Sequence, residues 1–453
     1  MTAPTATGVR AYGWPVWAWG LWDWAGAAFN AVITTFVFSV YLTSDAFGPQ
    51  ADSRLGWTLA AAGVVVALTA PVSGQRSDGR GHRTRWLGIH TGLVVICSAA
   101  LFWVRPDESY LWFGLLALAA GNVFFELAQV NYNAMLPRVS TPATIGRISG
   151  LGWGLGYLGG IVLLLAVYLG LISPEVGWFG VTDADGLDVR VTMLVCAAWT
   201  LVFAVPVLLT LRDEKVPATR GGPEAGARAG VVESYRRLLR SVADLWRTDR
   251  NLVFFLGASA VFRDGLAGVF AFAGVLAAGS FGFSPGDVIL LGIAANVVAG
   301  IATIGFGFLD DRLGPKRVIV LALVAMVLAG LGIFAFHDAG AAVFWTLGLT
   351  LSVFVGPAQS ASRTFLARMV PPGREGQVFG LYATTGRAVS FLAPAAFATA
   401  ITVGAAVTGE GQDAAQHWGV LGIVAVLAAG LALLSGVREV VRLDPPTDTP
   451  RPA

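Results

Sequence analysis

Runs of about 20 apolar residues, the length a helix needs to cross the hydrocarbon of a bilayer, recur twelve times along this chain, centred near residues 30, 65, 95, 123, 158, 201, 266, 297, 327, 354, 389 and 427. Hydrocarbon offers no water to stray N–H and C=O groups, so each run must satisfy its backbone within itself as a helix. With 55% of 453 residues hydrophobic and 13% charged, the apolar material exceeds what a soluble core could hide. The sequence therefore predicts an all-α membrane protein with 12 transmembrane helices. The first run is too long for a cleavable leader, holds Asp23 and lacks a small-residue cleavage site after a basic start, so it is expected to remain as a span.

Charge orients these spans. Of 30 Lys and Arg, 24 fall in the termini or in alternate loops, nine of them between Arg212 and Arg250, whereas only Arg54, Arg105 and Arg190 lie in the opposite loops. The bias of basic residues toward the cytoplasmic side predicts a multi-pass protein of the plasma membrane with both termini in the cytoplasm. The net charge of +2 is spent on this topology, and no aromatic-rich basic motif suggests nucleic acid. Cys97 and Cys196 are lone cysteines inside apolar runs, and His82, His90, His337 and His417 lack ligand spacing. No metal or cofactor is expected.

The polar residues inside the spans fall into stripes. In the first span Asp23, Asn30 and Thr34 share one helical face; in the fourth, Asn122, Glu126, Gln129 and Asn133 recur at spacings of four, three and four. Such stripes must face protein or a water-filled cavity rather than lipid, with interhelical hydrogen bonding as the plainer alternative. The seventh span carries Arg263 and Asp264, which point about 100° apart and so serve different partners. Gln359 and Arg363 lie in the tenth span and Arg387 in the eleventh. Arg387 is too deep to snorkel, whereas Arg363 is near enough its helix end that snorkelling competes with a buried role.

The chain also repeats itself. A shift of 230 positions lays Ala128-Gln129, Gly146, Gly150 and Gly156 on Ala358-Gln359, Gly376, Gly380 and Gly386, with nine identities in 29 gapless positions, against about two or three from composition alone. At an offset of 233, Gly74, Asp78, Gly81 and Arg83 map onto Gly307, Asp311, Gly314 and Lys316. Glycine permits a tight turn and close helix approach, while the Asp can pair with Arg or cap a neighbouring helix. Gly74, Asp78, Gly81, Arg83, Gly307, Asp311, Arg312 and Gly314 form a candidate conformational latch.

This latch pattern resembles the signature between helices 2 and 3 of the major facilitator superfamily, repeated between helices 8 and 9. Gly79 stands where an Arg commonly follows the Asp, so the N-terminal latch is expected to be weaker than an Asp311–Arg312 one. WDWAGAAF, NYNAMLP, IGRISGLGWGLGYLGG, FRDG and ASRTFLARMVPPGREGQVFGLYATTGR look like the vacuole-effluxer branch of that superfamily; Trp22 and Val378 depart mildly from it. The resemblance implies the major facilitator fold, two six-helix bundles related by a pseudo-twofold axis, and alternating access. The bundles are expected over residues 1–211 and 251–437, with a cytoplasmic linker at 212–250 and a cytoplasmic tail at 438–453. Within the linker, Val231, Val232, Tyr235, Leu238, Leu239, Val242, Leu245 and Trp246 recur at helical spacing and predict an amphipathic helix on the bilayer surface.

The expected function is secondary transport of a small solute, amino acids included, coupled to a proton or another ion. A carboxylate withdrawn from water during the motion favours its protonated form, and Glu126, then Asp23 and Asp264, are the candidates. Arg263 and Arg387 either pair with these acids or hold a carboxylate on the cargo. Asn30, Gln129, Asn133, Gln359 and Arg363 complete the candidate substrate and ion-coupling set. Oligomeric state is not encoded in any visible motif, and a monomer suffices. The alternatives are a drug, sugar or peptide carrier of the same fold and a non-transporting receptor or scaffold. An enzyme is not expected, because no nucleophile–base pair, metal cluster or phosphate-cradling loop is visible.

Overall fold

Prolines, glycines and short polar turns cut the apolar sequence into long helices, and residues 12–213, 231–409, 411–412 and 414–439 are described by a computed structural model. Twelve helices are long and apolar enough to span: α1 (Trp14–Leu42), α2 (Ala51–Gly79), α3 (Arg83–Trp103), α4 (Glu108–Ala134), α5 (Ile145–Ile172), α6 (Ala184–Thr210), α7 (Arg250–Phe281), α8 (Gly286–Leu313), α9 (Pro315–Ala335), α10 (Ala341–Met369), α11 (Glu375–Thr408) and α12 (Ala414–Ser435). No strand occurs among the described residues. Residues 214–230 of the linker and 440–453 of the tail lie outside the described residues.

Two departures from regular helix bear on the site. Within α1 the turns widen to π-helix over Ala28–Phe36, and the Asn30 carbonyl accepts the hydroxyls of both Thr34 and Thr35 at 2.7 Å. Such widening rotates the face that follows it, so Thr35 rather than the expected Thr34 joins Asp23 and Asn30 on the inner surface. The eleventh span breaks between Glu375–Val389 and Leu392–Thr408. Pro394 falls in the first turn of the second piece, where a missing N–H costs nothing.

One apolar core gathers Trp19, Phe29, Leu115, Tyr132 and Leu163 from the first six spans. A second gathers Phe255, Phe262, Leu323, Phe344 and Phe365 from the last six and takes in Val66, Ala70 and Val130 from α2 and α4. Two bundles meeting along a shared wall result. Large apolar side chains on the outside, such as Trp57 at 77% exposure, suit acyl chains rather than water. The amphipathic helix Val231–Thr248 is fastened to the bundles by Tyr235, whose hydroxyl donates to the Leu68 carbonyl at 2.7 Å, and by buried Leu245. The side chains of Val231, Val232, Leu238 and Leu239 lie outside the described residues.

Candidate functional site

Between the bundles lie two cavities that share Gln129, Trp153 and Gln359 as a partition. The larger, about 760 Å³, is walled chiefly by apolar and aromatic side chains, including Tyr157, Phe270 and Phe344, relieved by the amides Asn30 and Asn296. It extends to Thr35 and Phe36, which is 46% exposed, at the far end of α1. The smaller, about 70 Å³, is polar and is lined by Glu126, Asn133, Arg263 and Arg363 together with Tyr382.

Arg363 makes four hydrogen bonds. Its Nη1 donates to Asn133 Oδ1 at 3.1 Å and to Asp23 Oδ2 at 3.3 Å, its Nε to Ser149 Oγ at 3.0 Å and its Nη2 to the Ser149 carbonyl at 2.7 Å. The guanidinium also lies 5.0 Å over the Trp19 ring, a favourable cation–π placement when desolvated. Tyr132 donates its hydroxyl to Asp23 Oδ2 at 2.8 Å. At 3% exposure Arg363 does not snorkel; the buried role replaces that alternative, because Asp23 and Ser149 on the other bundle supply the acceptors. Gly152 makes room for the assembly, since a Cβ there would come 2.7 Å from Asp23 Oδ2.

A second ion pair crosses the bundles between Glu126 of α4 and Arg387 of α11. Among the described residues Arg263 meets no acid: its Nη1 donates to the Tyr382 carbonyl at 3.1 Å and its Cζ sits 3.7 Å over the Tyr382 ring. Asp264, its neighbour, turns the other way and lines neither cavity. Its Oδ2 accepts the Ala393 N–H at 2.6 Å. That contact caps the second piece of α11.

The latch residues close the end of the cleft opposite Phe36. Asp78 accepts the Gly376 and Gln377 N–H groups at 2.9 and 2.8 Å, at the start of α11, and is also held by its own Arg83 at 2.8 Å. Arg83 continues to Glu375 at 2.5 Å. In the other copy Asp311 accepts the Gly146 and Arg147 N–H groups at 2.7 and 3.2 Å, at the start of α5. Each half thus lends a carboxylate to a helix N-terminus of the other, the favourable end of its dipole.

The expected Asp311–Arg312 pairing is corrected: Arg312 is exposed, and Arg147 of the opposite bundle donates its Nε to Asp311 at 2.6 Å. In the first copy Arg83 supplies the cation. Lys316, which matches Arg83 in the repeat, instead donates to the Val437 carbonyl at 2.5 Å. Gly81 and Gly314 take φ of +63° and +88°, which a side chain would strain. A Cβ at Gly74 would meet the Gly376 carbonyl at 1.9 Å, and one at Gly307 the Gly146 carbonyl at 2.9 Å.

Of the sequence candidates, Asp23, Asn30, Glu126, Gln129, Asn133, Arg263, Gln359 and Arg363 line the cavities, and Arg387 reaches them through Glu126. Sequence reasoning missed Tyr132, Ser149 and Trp153. Tyr132 sits between two striped positions, and Ser149 and Trp153 lie within the repeated segment, so their places were marked although their roles were not.

Residues 52–403 match the family described as Vacuole effluxer Atg22 like. A Bacillus subtilis (strain 168) protein described as the uncharacterized MFS-type transporter YxiO is 26% identical over 428 residues, 93% of this chain and 94% of that protein. Autophagy-related protein 22-1 of Neosartorya fischeri is 24% identical over 279 residues, 56% of this chain; the match spans 44% of the fungal protein. The proton:xylose symporter XylE, solved with 6-bromo-6-deoxy-D-glucose, has a TM-score of 0.71 at 15% identity, covering 94% of this chain and 96% of that one. An outward-facing bacterial homologue of the iron transporter ferroportin gives 0.65 at 14% identity, covering 94% and 99%. These structural likenesses show the fold.

Proposed function

Because the chain belongs to the vacuole effluxer Atg22-like family of major facilitator transporters, we propose that it is a secondary active carrier that moves a small solute by alternating access with a proton as coupling ion. The observation that carries this reading is a cleft closed by two matched latches at one end and reaching exposed Phe36 at the other, with two ion pairs across its floor. Rocking the bundles would release the latches and present the floor to the opposite side. The distribution of 24 of 30 basic residues supports a cytoplasmic latched face and cytoplasmic termini. The two bundles are proposed as residues 1–211 and 251–437, joined through 212–250.

Glu126 is the proposed proton carrier: its cation Arg387 belongs to the other bundle, so the pair must part when the bundles separate. Asp23 has a further hold from Tyr132 on its own bundle. The test is uptake into proteoliposomes of a panel of amino acids, with and without an imposed pH gradient. Glu126→Gln is expected to abolish gradient-driven accumulation and to leave solute counterflow intact. Retention of full gradient dependence in that variant overturns the coupling role. Failure of every panel member to move in the unmodified protein removes amino acids as cargo.

A further inference from the structure

Among the described residues, two acids and three cations meet at the floor of the cleft, and their charges do not balance. Asp23 and Glu126 are the two acids; Arg263, Arg363 and Arg387 are the three cations. Arg363 is matched to Asp23 and Arg387 to Glu126, which leaves Arg263 with a backbone carbonyl and an aromatic face but no carboxylate among the described residues. Asp264 does not serve, because its carboxylate is turned into the N-terminus of the second piece of α11. Three sides of the Arg263 position are therefore defined: the Tyr382 ring on one, the polar cavity on another, and Gly386, where a Cβ would stand 3.4 Å from Nη1. A guanidinium keeps its charge at any working pH and presents a planar fork that matches a carboxylate in two-point contact. An unmatched one at membrane depth is costly unless something anionic visits it.

The dimensions agree with such a visitor. At about 70 Å³ against about 760 Å³, the polar cavity is by far the smaller compartment and suits the charged head of a solute rather than its body. Across the Gln129–Trp153–Gln359 partition lies the aromatic chamber of about 760 Å³, which suits an apolar body. An ammonium group has no counterpart here: both acids are already held by guanidiniums, and a third cation would repel it.

We propose that Arg263 anchors the carboxylate of the cargo, and that the cargo is a monocarboxylate with an apolar body whose amino group, where it has one, is not read. The proposal rests on the carrier reading for its physiological meaning, but its first test is binding alone. Purified full-length protein is titrated calorimetrically with propionate, 4-methylpentanoate and phenylacetate, and with 4-methylpentanamide and leucine as comparisons. Affinity is expected to rise with the apolar body, to fall by about tenfold or more on passing from 4-methylpentanoate to its amide, and to gain nothing from the amino group of leucine. Arg263→Gln should weaken the acids about tenfold to a hundredfold, while Arg263→Lys should retain part of the binding. Absence of binding by all three acids, equal binding of acid and amide, or leucine binding more than about tenfold tighter than 4-methylpentanoate overturns the proposal. The acid–amide comparison on the unmodified protein stands even should Arg263→Gln fail to fold. Tight binding without counterflow of 4-methylpentanoate in proteoliposomes would instead sink the carrier reading and leave the anchor in place.

Discussion

Replacing Asp78 by Asn tests the latch as a thermodynamic device. Its carboxylate receives two N–H groups from the opposite bundle, at 2.9 and 2.8 Å, and only 6% of its side chain is exposed, so solvent screens these bonds little. A hydrogen bond to a charged group contributes about 1.5–3 kcal/mol net, and a negative charge at a partly buried helix N-terminus adds up to about 2 kcal/mol. Asn keeps one neutral acceptor, so the loss is one charged bond and most of the dipole interaction, about 2–4 kcal/mol. The Arg83–Glu375 pair still crosses the interface and argues for the lower end. About 2 kcal/mol multiplies the latch-open to latch-closed ratio roughly thirtyfold. Spin labels on cysteines at exposed Ala143 and Arg374, one in each half, with Cys97 and Cys196 replaced, report this ratio as a double electron–electron resonance distance distribution. Asp311→Asn should act with the same sign and within about threefold of the same size, because it mirrors the first site. The two factors should multiply in the double variant, since both act on one equilibrium. A distance distribution unchanged in both single variants would refute the latch argument.

Arg363→Met should strand Asp23 in the interior with Tyr132 as its remaining partner and lower stability by about 3–5 kcal/mol, read as a fall in the thermal unfolding midpoint in detergent. Adding Asp23→Asn should recover at least half of that loss, and an unaltered midpoint in Arg363→Met would show the pair to be idle. Gly74→Ala drives a methyl group into the Gly376 carbonyl, so the same spin-label pair should report depletion of the latched state. Gly92→Ala, whose Cβ meets nothing within 4 Å, should leave that distribution unchanged and gain up to about 1 kcal/mol of helix propensity.

How much of this was readable from residues alone depends on the range of the interaction. The spans were legible because insolubility in water and intolerance of bare backbone in lipid both act locally. The stripe Glu126, Gln129, Asn133 was legible because helical periodicity fixes a shared face. The latch was half legible: the glycines and Asp78 announced a turn and a cap, and Gly81 takes the positive φ that such a turn needs. Its partner was not, because Gly376 lies 298 positions away in the chain and only the assembled halves bring it near. Arg312 misled for the same reason. It adjoins Asp311 in sequence, but neighbours on a helix diverge by about 100°, and Arg147 from the other bundle took the site. The repeat did hold one long-range contact in plain view. Asn133 and Arg363 are related by the offset of 230 and hydrogen-bond to each other at 3.1 Å, as residues at a pseudo-twofold axis can.

The position of the ion pairs explains why a carrier of this design would be coupled rather than leaky. Latches at the rim contribute about 2–4 kcal/mol each by the reasoning above, which alone would permit a small open population at all times. Asp23–Arg363 and Glu126–Arg387 also span the interface; leaving the buried Asp23–Arg363 pair parted and unreplaced costs a further 3–5 kcal/mol or so, and the partly exposed Glu126–Arg387 pair, screened by solvent, costs less. Opening with these charges bare is therefore rarer by about two to four orders of magnitude than opening of the rim alone. What restores the rate is anything that neutralises the separated groups, such as a proton on the freed carboxylate or an anionic cargo beside the guanidiniums. On the carrier reading, the ion pairs thus act as the gate that makes movement of the bundles conditional on what occupies the floor, and the latches only set which end rests closed.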